Sequence, residues 1–231
     1  MQGDSKAILN IPFTINVVAL KKQLLIKPGT ESDEKINRLI KAAQEIGRPK
    51  ALYRVAYIDS RDGDMISFDG VSFTSAAMQK NLIEVNRVFC YVATCGVEVL
   101  DIASSDNDLI EKYWLSQIRI ELLNASRKFL VTEIQRVFQI DNLSTMNPGS
   151  GEAGIWPIEQ QRALFSLLGD VQRMIGVELK PSCLMYPDMS VSGIFFETEH
   201  SYTNCQLCQR VKCPGRKAPF DGKLWREIHS V

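Results

Sequence analysis

Residues 51–68 read ALYRVAYIDSRDGDMISF, two β-rich runs separated by a polar stretch whose Asp62-Gly63 pair is a turn signal. Ala51 to Ile58 and Met65 to Phe68 are therefore expected to form a hairpin, and a hairpin commits this part of the chain to antiparallel pairing. A third strand is expected over Val85 to Thr94, an almost unbroken apolar run bounded by Asn86-Arg87 and Gly96, and so placed centrally. Lys180 to Tyr186 and Ser190 to Glu197, separated by Pro187-Asp188-Met189, fit a second hairpin.

Helices lie between these strands. Thr30 to Gly47 carries Ile36, Leu39, Ile40, Ala43 and Ile46 at helical spacing, with Gly47 and Pro49 as stop signals. Thr30 with Asp33 and Ser32 with Lys35 compete as N-cap pairs, and only the first puts an acid at the favourable third position. A long helix is expected from about Asp108 to Phe138, with Ile118, Leu122, Ala125, Phe129 and Leu130 on one stripe. Asp141 to Gly154 reads as loop. Pro157 is suited to open a helix running to about Ile175, with Gly176 as its stop. The fold class expected is α+β, a largely antiparallel sheet with packed helices. A fold over residues 1–200 is followed by a polar, cysteine-bearing tail over residues 201–231.

Composition bounds the function. The 231 residues include 27 basic and 27 acidic side chains, and this balance leaves no cationic surplus to displace phosphate counterions, so nucleic acid is not an expected partner. The longest apolar stretch, Val88 to Val97, stops far short of the roughly 20 residues that a membrane helix needs. No membrane partner is expected, and without a secretory signal in MQGDSKAILNIPF the expected location is the cytoplasm. Gly-rich dinucleotide and P-loop fingerprints are missing. His200 and His229 are the only histidines, which gives a Ser-His-Asp arrangement little to draw on.

The six cysteines are unevenly spread. Cys205, Cys208 and Cys213 form C-x2-C-x4-C followed by Pro214, a spacing that suits an iron–sulfur cluster, of the 4Fe–4S kind, or zinc. Cys183 is the candidate fourth ligand: in a hairpin over 180–197 it lies across from about Ile194. His200 is the alternative. Cys90 and Cys95 read as buried strand residues. Arg210, Lys212, Arg216 and Lys217 form a local basic patch that can offset thiolate charge or simply face solvent.

Further motifs carry a family likeness. Ala93-Thr94-Cys95-Gly96, Asn147-Pro148-Gly149, Trp156-Pro157-Ile158-Glu159-Gln160-Gln161, Leu164-Phe165-Ser166-Leu167-Leu168, Ile175-Gly176-Val177-Glu178-Leu179 and Met185-Tyr186-Pro187-Asp188-Met189-Ser190-Val191-Ser192-Gly193 follow one another in an ordered series. With it, the chain from about residue 10 to 200 resembles the activation domain of cobalamin-dependent methionine synthase, closest to free-standing members.

The resemblance implies a domain that caps the cobalamin-bearing module of a methyltransferase, the cobalamin being supplied by that partner, and that assists reductive reactivation of cob(II)alamin. It places ligand contacts at Asn147, Pro148, Gly149 and Ser150 and, by spacing from Phe129-Leu130, at Asn124. The family loop reads Arg-x-x-Pro-Gly-Tyr, whereas this chain has Thr145-Met146-Asn147-Pro148-Gly149-Ser150, and Asn124 stands where an acid is expected. Threonine cannot make arginine's bidentate contact to a carboxylate. Loss of the acid removes a charge-assisted bond worth roughly 1.5–3 kcal/mol. Either Ser150, Glu152 or Arg162 rebuilds the S-adenosylmethionine pocket, or the fold is kept while that ligand is abandoned; the second is favoured, with the cysteine tail as a relay for an electron. A non-catalytic cap with a structural zinc, and an S-adenosylmethionine-binding enzyme, are the alternatives.

Overall fold

The structure, a computed structural model, describes residues 4–103, 108–151, 155–199, 202–213 and 216–229. In chain order the elements are β1 (Lys6–Ile8), α1 (Val17–Gln23), α2 (Glu31–Ile46), β2 (Lys50–Asp62), β3 (Met65–Phe68), β4 (Val71–Thr74), α3 (Ala76–Asn81), β5 (Arg87–Thr94), α4 (Leu109–Phe138), β6 (Leu143–Met146), α5 (Gln161–Leu168), α6 (Val171–Ile175), β7 (Glu178–Leu179), β8 (Met185–Tyr186), β9 (Ser190–Glu197) and α7 (Gly222–His229). Single 3-10 turns cover Glu98–Asp101, Ile158–Gln160 and Asn204–Leu207.

The sheet order is β4-β3-β2-β5-β9-β6, with β1 added beside β2, and all of these pairs are antiparallel. The expected hairpin is present: Asp62 faces Met65, and Gly63 turns the chain at φ 53°. β5 is central, and its near-continuous apolar run has a direct cause, because both of its faces are buried. Val88, Cys90 and Val92 point into one core with Phe73, Trp156 and Leu164, while Phe89, Tyr91 and Ala93 point into another with Leu130 and Ile134 of α4. Strand side chains alternate faces, so a strand covered on both sides has no polar position to spare.

α4 buries Trp114, Leu115, Ile118, Leu122, Ser126, Leu130 and Ile134 at three- and four-residue spacing, and Asp108 caps it by accepting from the N–H groups of Ile110 and Glu111. Its first half packs with α1 and α2 in a third cluster. The N-cap of α2 is Thr30, whose hydroxyl accepts from Asp33 N–H at 3.3 Å, while the Asp33 carboxylate accepts from Gly29 N–H at 3.1 Å. The Thr30–Asp33 pairing is therefore the one used.

Three expectations need correction. Lys180 to Tyr186 is not a strand paired with Ser190 to Glu197: β7 and β8 make a small hairpin of their own, and β9 lies between β5 and β6. Ile194 consequently faces Cys90 and Met146, not Cys183. Residues 141–154 are not all loop, since Leu143–Met146 forms the edge strand β6; four residues inside a Ser- and Asn-rich stretch carry too little pattern to show. The helix expected from Pro157 to Ile175 is broken at Gly169, φ 83°, where Asp170 caps a new helix by accepting from Arg173 N–H at 3.0 Å. Gly176 does end it, at φ 77°.

The described part of the tail is built into the fold. Thr203 bridges Thr145 in parallel, Tyr202 N–H donates to Ser144 Oγ at 2.7 Å, and Tyr202, Leu207 and Ile228 enter the first core. Lys80 of α3 pairs with Glu227 of α7.

Candidate functional site

The segment that follows β6 is held from three sides. Pairing of Met146 with Ile194 brings Asn147 to the end of the sheet, where its Nδ2 donates to Tyr91 Oη and to Ser192 O, both at 2.7 Å. Gly149, at φ 70°, turns the chain so that its N–H donates to Trp156 O at 2.8 Å, and Ser150 N–H returns to Asn147 O at 3.2 Å. From the tail, Asn204 Nδ2 donates to Asn147 O at 3.2 Å and to Ser150 O at 2.9 Å. Asn204 is 3% exposed, so these bonds are shielded from water.

A cleft of about 490 Å³ opens against this segment. Asn147, Pro148, Gly149 and Ser150, four of the residues expected to touch a ligand, all line it. The opposite wall comes from the β7–β8 turn and the chain leading into β9, including Cys183, Asp188 and Ser192. Arg127 of α4, Gln161 of α5 and Lys217 of the tail complete it.

Asn124 is exposed and is not among the lining residues; one turn further along α4 it is Arg127 that reaches the cleft. Thr145 sits on β6 with its hydroxyl 3.3 Å from Tyr91 Oη. Arg162 donates to Pro181 O, ties α5 to the β7–β8 turn, and is not among the residues that line the cleft. Glu152 and His200 lie outside the described residues. Trp156 is 1% exposed and packs edge-on against Phe73, ring centroids 5.9 Å apart, in the core beneath the cleft. Sequence reasoning missed Arg127, Gln161, Asn204 and Lys217. Gln161 lies in a motif already noted and Lys217 in the basic patch, but only the tertiary fold brings the tail and α4 together.

The cysteines divide as follows. Cys90 and Cys95 are fully buried core residues, and burial pushes the Cys95 thiol up to about 12. Cys183 is 4% exposed at φ 63° in the β7–β8 turn, its N–H donating to Lys180 O at 2.9 Å. Cys205, Cys208 and Cys213 are half-buried and free. Burial raises the Cys205 thiol, but hydrogen bonds, led by that of Lys217 N–H at 3.4 Å, outweigh it and leave the thiol below its ordinary value. Arg216 organises the segment by donating to the carbonyl oxygens of Cys205, Cys208, Arg210 and Ala218. Among the described residues, no three His, Cys, Asp or Glu side chains come together as a metal ion requires. Cys183 with Cys205, Cys208 and Cys213 does not form a gathered ligand set.

Fold and cleft together define a class: an α+β domain with a curled antiparallel sheet, whose ligand-sized cleft lies where the segment after an edge strand meets the chain entering its neighbour. A solved structure of similar fold is the MetH reactivation domain bound to AdoHcy, which matches with a TM-score of 0.59 over 87% of this chain and 81% of that one, at 15% identity. The likeness is one of fold. No protein-family model matches the sequence, and no curated protein does. No helix among the described residues is long and apolar enough to cross a membrane.

Proposed function

We propose that this chain is a reactivation-type accessory domain that docks on the cobalamin-bearing module of a corrinoid methyltransferase and assists its return from the cob(II)alamin state. The observation that carries this reading is the extent of the fold likeness, which runs over 87% of the chain. The cleft formed by Asn147, Pro148, Gly149 and Ser150 supports it, because a ligand held there is positioned by a segment braced on β5, β9 and the tail. Positioning is most of what a protein contributes to a group transfer of this kind.

The cobalamin belongs to the partner in this reading and supplies the reactive cobalt. This chain's own contribution is a docking surface and a pre-shaped cleft. The tail cysteines support an electron relay on spacing alone, so the electron is assigned to an external reductant. Iron and zinc analysis of anaerobically purified protein tests the relay directly: stoichiometric iron restores it, and zinc or no metal removes it.

The function is tested by reactivation. A corrinoid methyltransferase lacking its own reactivation domain is oxidised to the inactive cob(II)alamin form and given a chemical reductant, with and without this chain. Recovery of methyl transfer that depends on the chain is expected. Equal recovery without it, at saturating concentration, overturns the proposal.

A further inference from the structure

The cleft carries charge that a capping role leaves unexplained. Arg127 and Lys217 both line it, and among the described residues neither the guanidinium nor the ammonium makes a hydrogen bond or an ion pair. Arg127 Nε is buried without a partner. Gln161 adds a third free donor: the residue is 1% exposed, it lines the cleft, and its Nε2 has no partner. The one Asp or Glu among the described lining residues, Asp188, accepts with Oδ1 from its neighbour Met189 N–H at 2.9 Å.

The two buried donors, Arg127 Nε and Gln161 Nε2, are unfavourable in the empty cleft, whereas Lys217 is exposed and adds charge at its rim. A buried donor without an acceptor costs about 1–3 kcal/mol. Arg127 and Lys217 lie close enough for their like charges to act on each other, and the partly buried guanidinium is the less screened of the two. The repulsion registers on Lys217, whose ammonium is held below the ordinary lysine range by desolvation first and then by the charge of Arg127, with Cys205 acting in the opposite direction. An anion in the cleft gives both buried donors an acceptor and offsets the like charge of Arg127 and Lys217.

We propose that this cleft binds the carboxylate of a small organic acid, held between Arg127 and Lys217 with Gln161 Nε2 as the third donor. The proposal rests on reading the cleft as the ligand site of the reactivation-type domain and names the ligand class it takes. A sulfonium ligand such as S-adenosylmethionine brings its own positive charge towards two unpaired cations. A neutral thioether such as AdoHcy does not.

The test is titration calorimetry on the full chain, with succinate, inorganic phosphate, S-adenosylmethionine and AdoHcy as probes. Saturable binding of succinate is expected, weaker binding of phosphate, and S-adenosylmethionine weaker than AdoHcy. Arg127→Gln and Lys217→Gln are each expected to weaken succinate by about ten- to a hundredfold, the loss of one charge-assisted bond. Arg127→Lys retains part of the affinity, and circular dichroism confirms that each variant is folded. Should Arg127→Gln fail to fold, Gln161→Leu, which removes the third donor but no charge, serves in its place with a smaller loss. Succinate that fails to bind at millimolar concentration, or that binds the two Gln variants unchanged, overturns the inference. Phosphate that binds more tightly than succinate overturns the carboxylate assignment. If succinate fails while the chain still reactivates a methyltransferase, the ligand class is wrong and the docking role stands.

Discussion

Asn204→Ala removes the side chain that ties the tail to the Asn147–Ser150 wall of the cleft while leaving every lining residue in place. The residue is 3% exposed, and its Nδ2 makes two neutral hydrogen bonds, to Asn147 O at 3.2 Å and to Ser150 O at 2.9 Å. Two such bonds are worth roughly 1–3 kcal/mol net. Asn204 Oδ1 is buried without a partner, so its loss offsets part of this and the expected cost falls at about 1–2 kcal/mol. For a chain of this length that corresponds to a fall of roughly 2–8 °C in Tm. Asn204→Asp should cost more than Asn204→Ala, because it turns the donor into a carboxylate oxygen aimed at two carbonyls. The assay is urea denaturation, in which the midpoint moves and the slope does not, combined with hydrogen exchange at Gly149 and Ser150. An unchanged midpoint, or faster exchange throughout the sheet instead of at these two amides, refutes the idea that the tail braces the cleft.

Gly193→Ala tests the strand side of the same brace: an added Cβ lies 2.3 Å from Met146 O and 2.4 Å from Asn147 Nδ2. Overpacking of this kind costs about 1–3 kcal/mol and pushes β6 away from β9, to be read from the denaturation midpoint and from loss of the β6 amide protection. Alkylation of the native protein near pH 8, followed by mass spectrometry, should modify Cys205 early and leave Cys95 unmodified, because hydrogen bonds outweigh burial at the first thiol while burial pushes the second up to about 12. Asp33 lies below its ordinary value of 3.8, held there first by its bond to Lys21 and then by that to Gly29 N–H. Its stabilising contribution is fully present above pH 3.8 and is lost as pH falls through the lower folded value, so Asp33→Asn should flatten the acid side of the stability–pH profile.

Much of this architecture was legible in the sequence where the pattern was long or the turn chemistry explicit. α2 with its Thr30 cap, α4 with Asp108 before it, and the β2–β3 hairpin at Asp62-Gly63 all follow from period and caps. Short elements were not: β1, β4 and β6 have three or four residues each, and α1, α3 and α7 eight or fewer, too few to establish a period. The turn residues at Pro187-Asp188-Met189 suit a connection between two strands of one hairpin, yet β8 pairs back to β7 and β9 enters the main sheet. The candidate site was legible in the same uneven way. Asn147 to Ser150 line the cleft as the motif suggests, whereas Asn124 is exposed outside it and Arg127, one turn later on α4, lines it. Lys217 and Asn204 reach the cleft only through the path of the tail, and a non-local contact of that kind leaves no local signature.

The central claim, that this chain caps the cobalamin module of a corrinoid methyltransferase, is met most directly by titration calorimetry of the full chain into such a module, isolated in its cob(II)alamin form and in its cobalamin-free form. A saturable one-to-one complex with the cob(II)alamin form, much weaker without cobalamin, is the predicted result. No complex with either form, at concentrations where the module's native reactivation domain binds, contradicts the account.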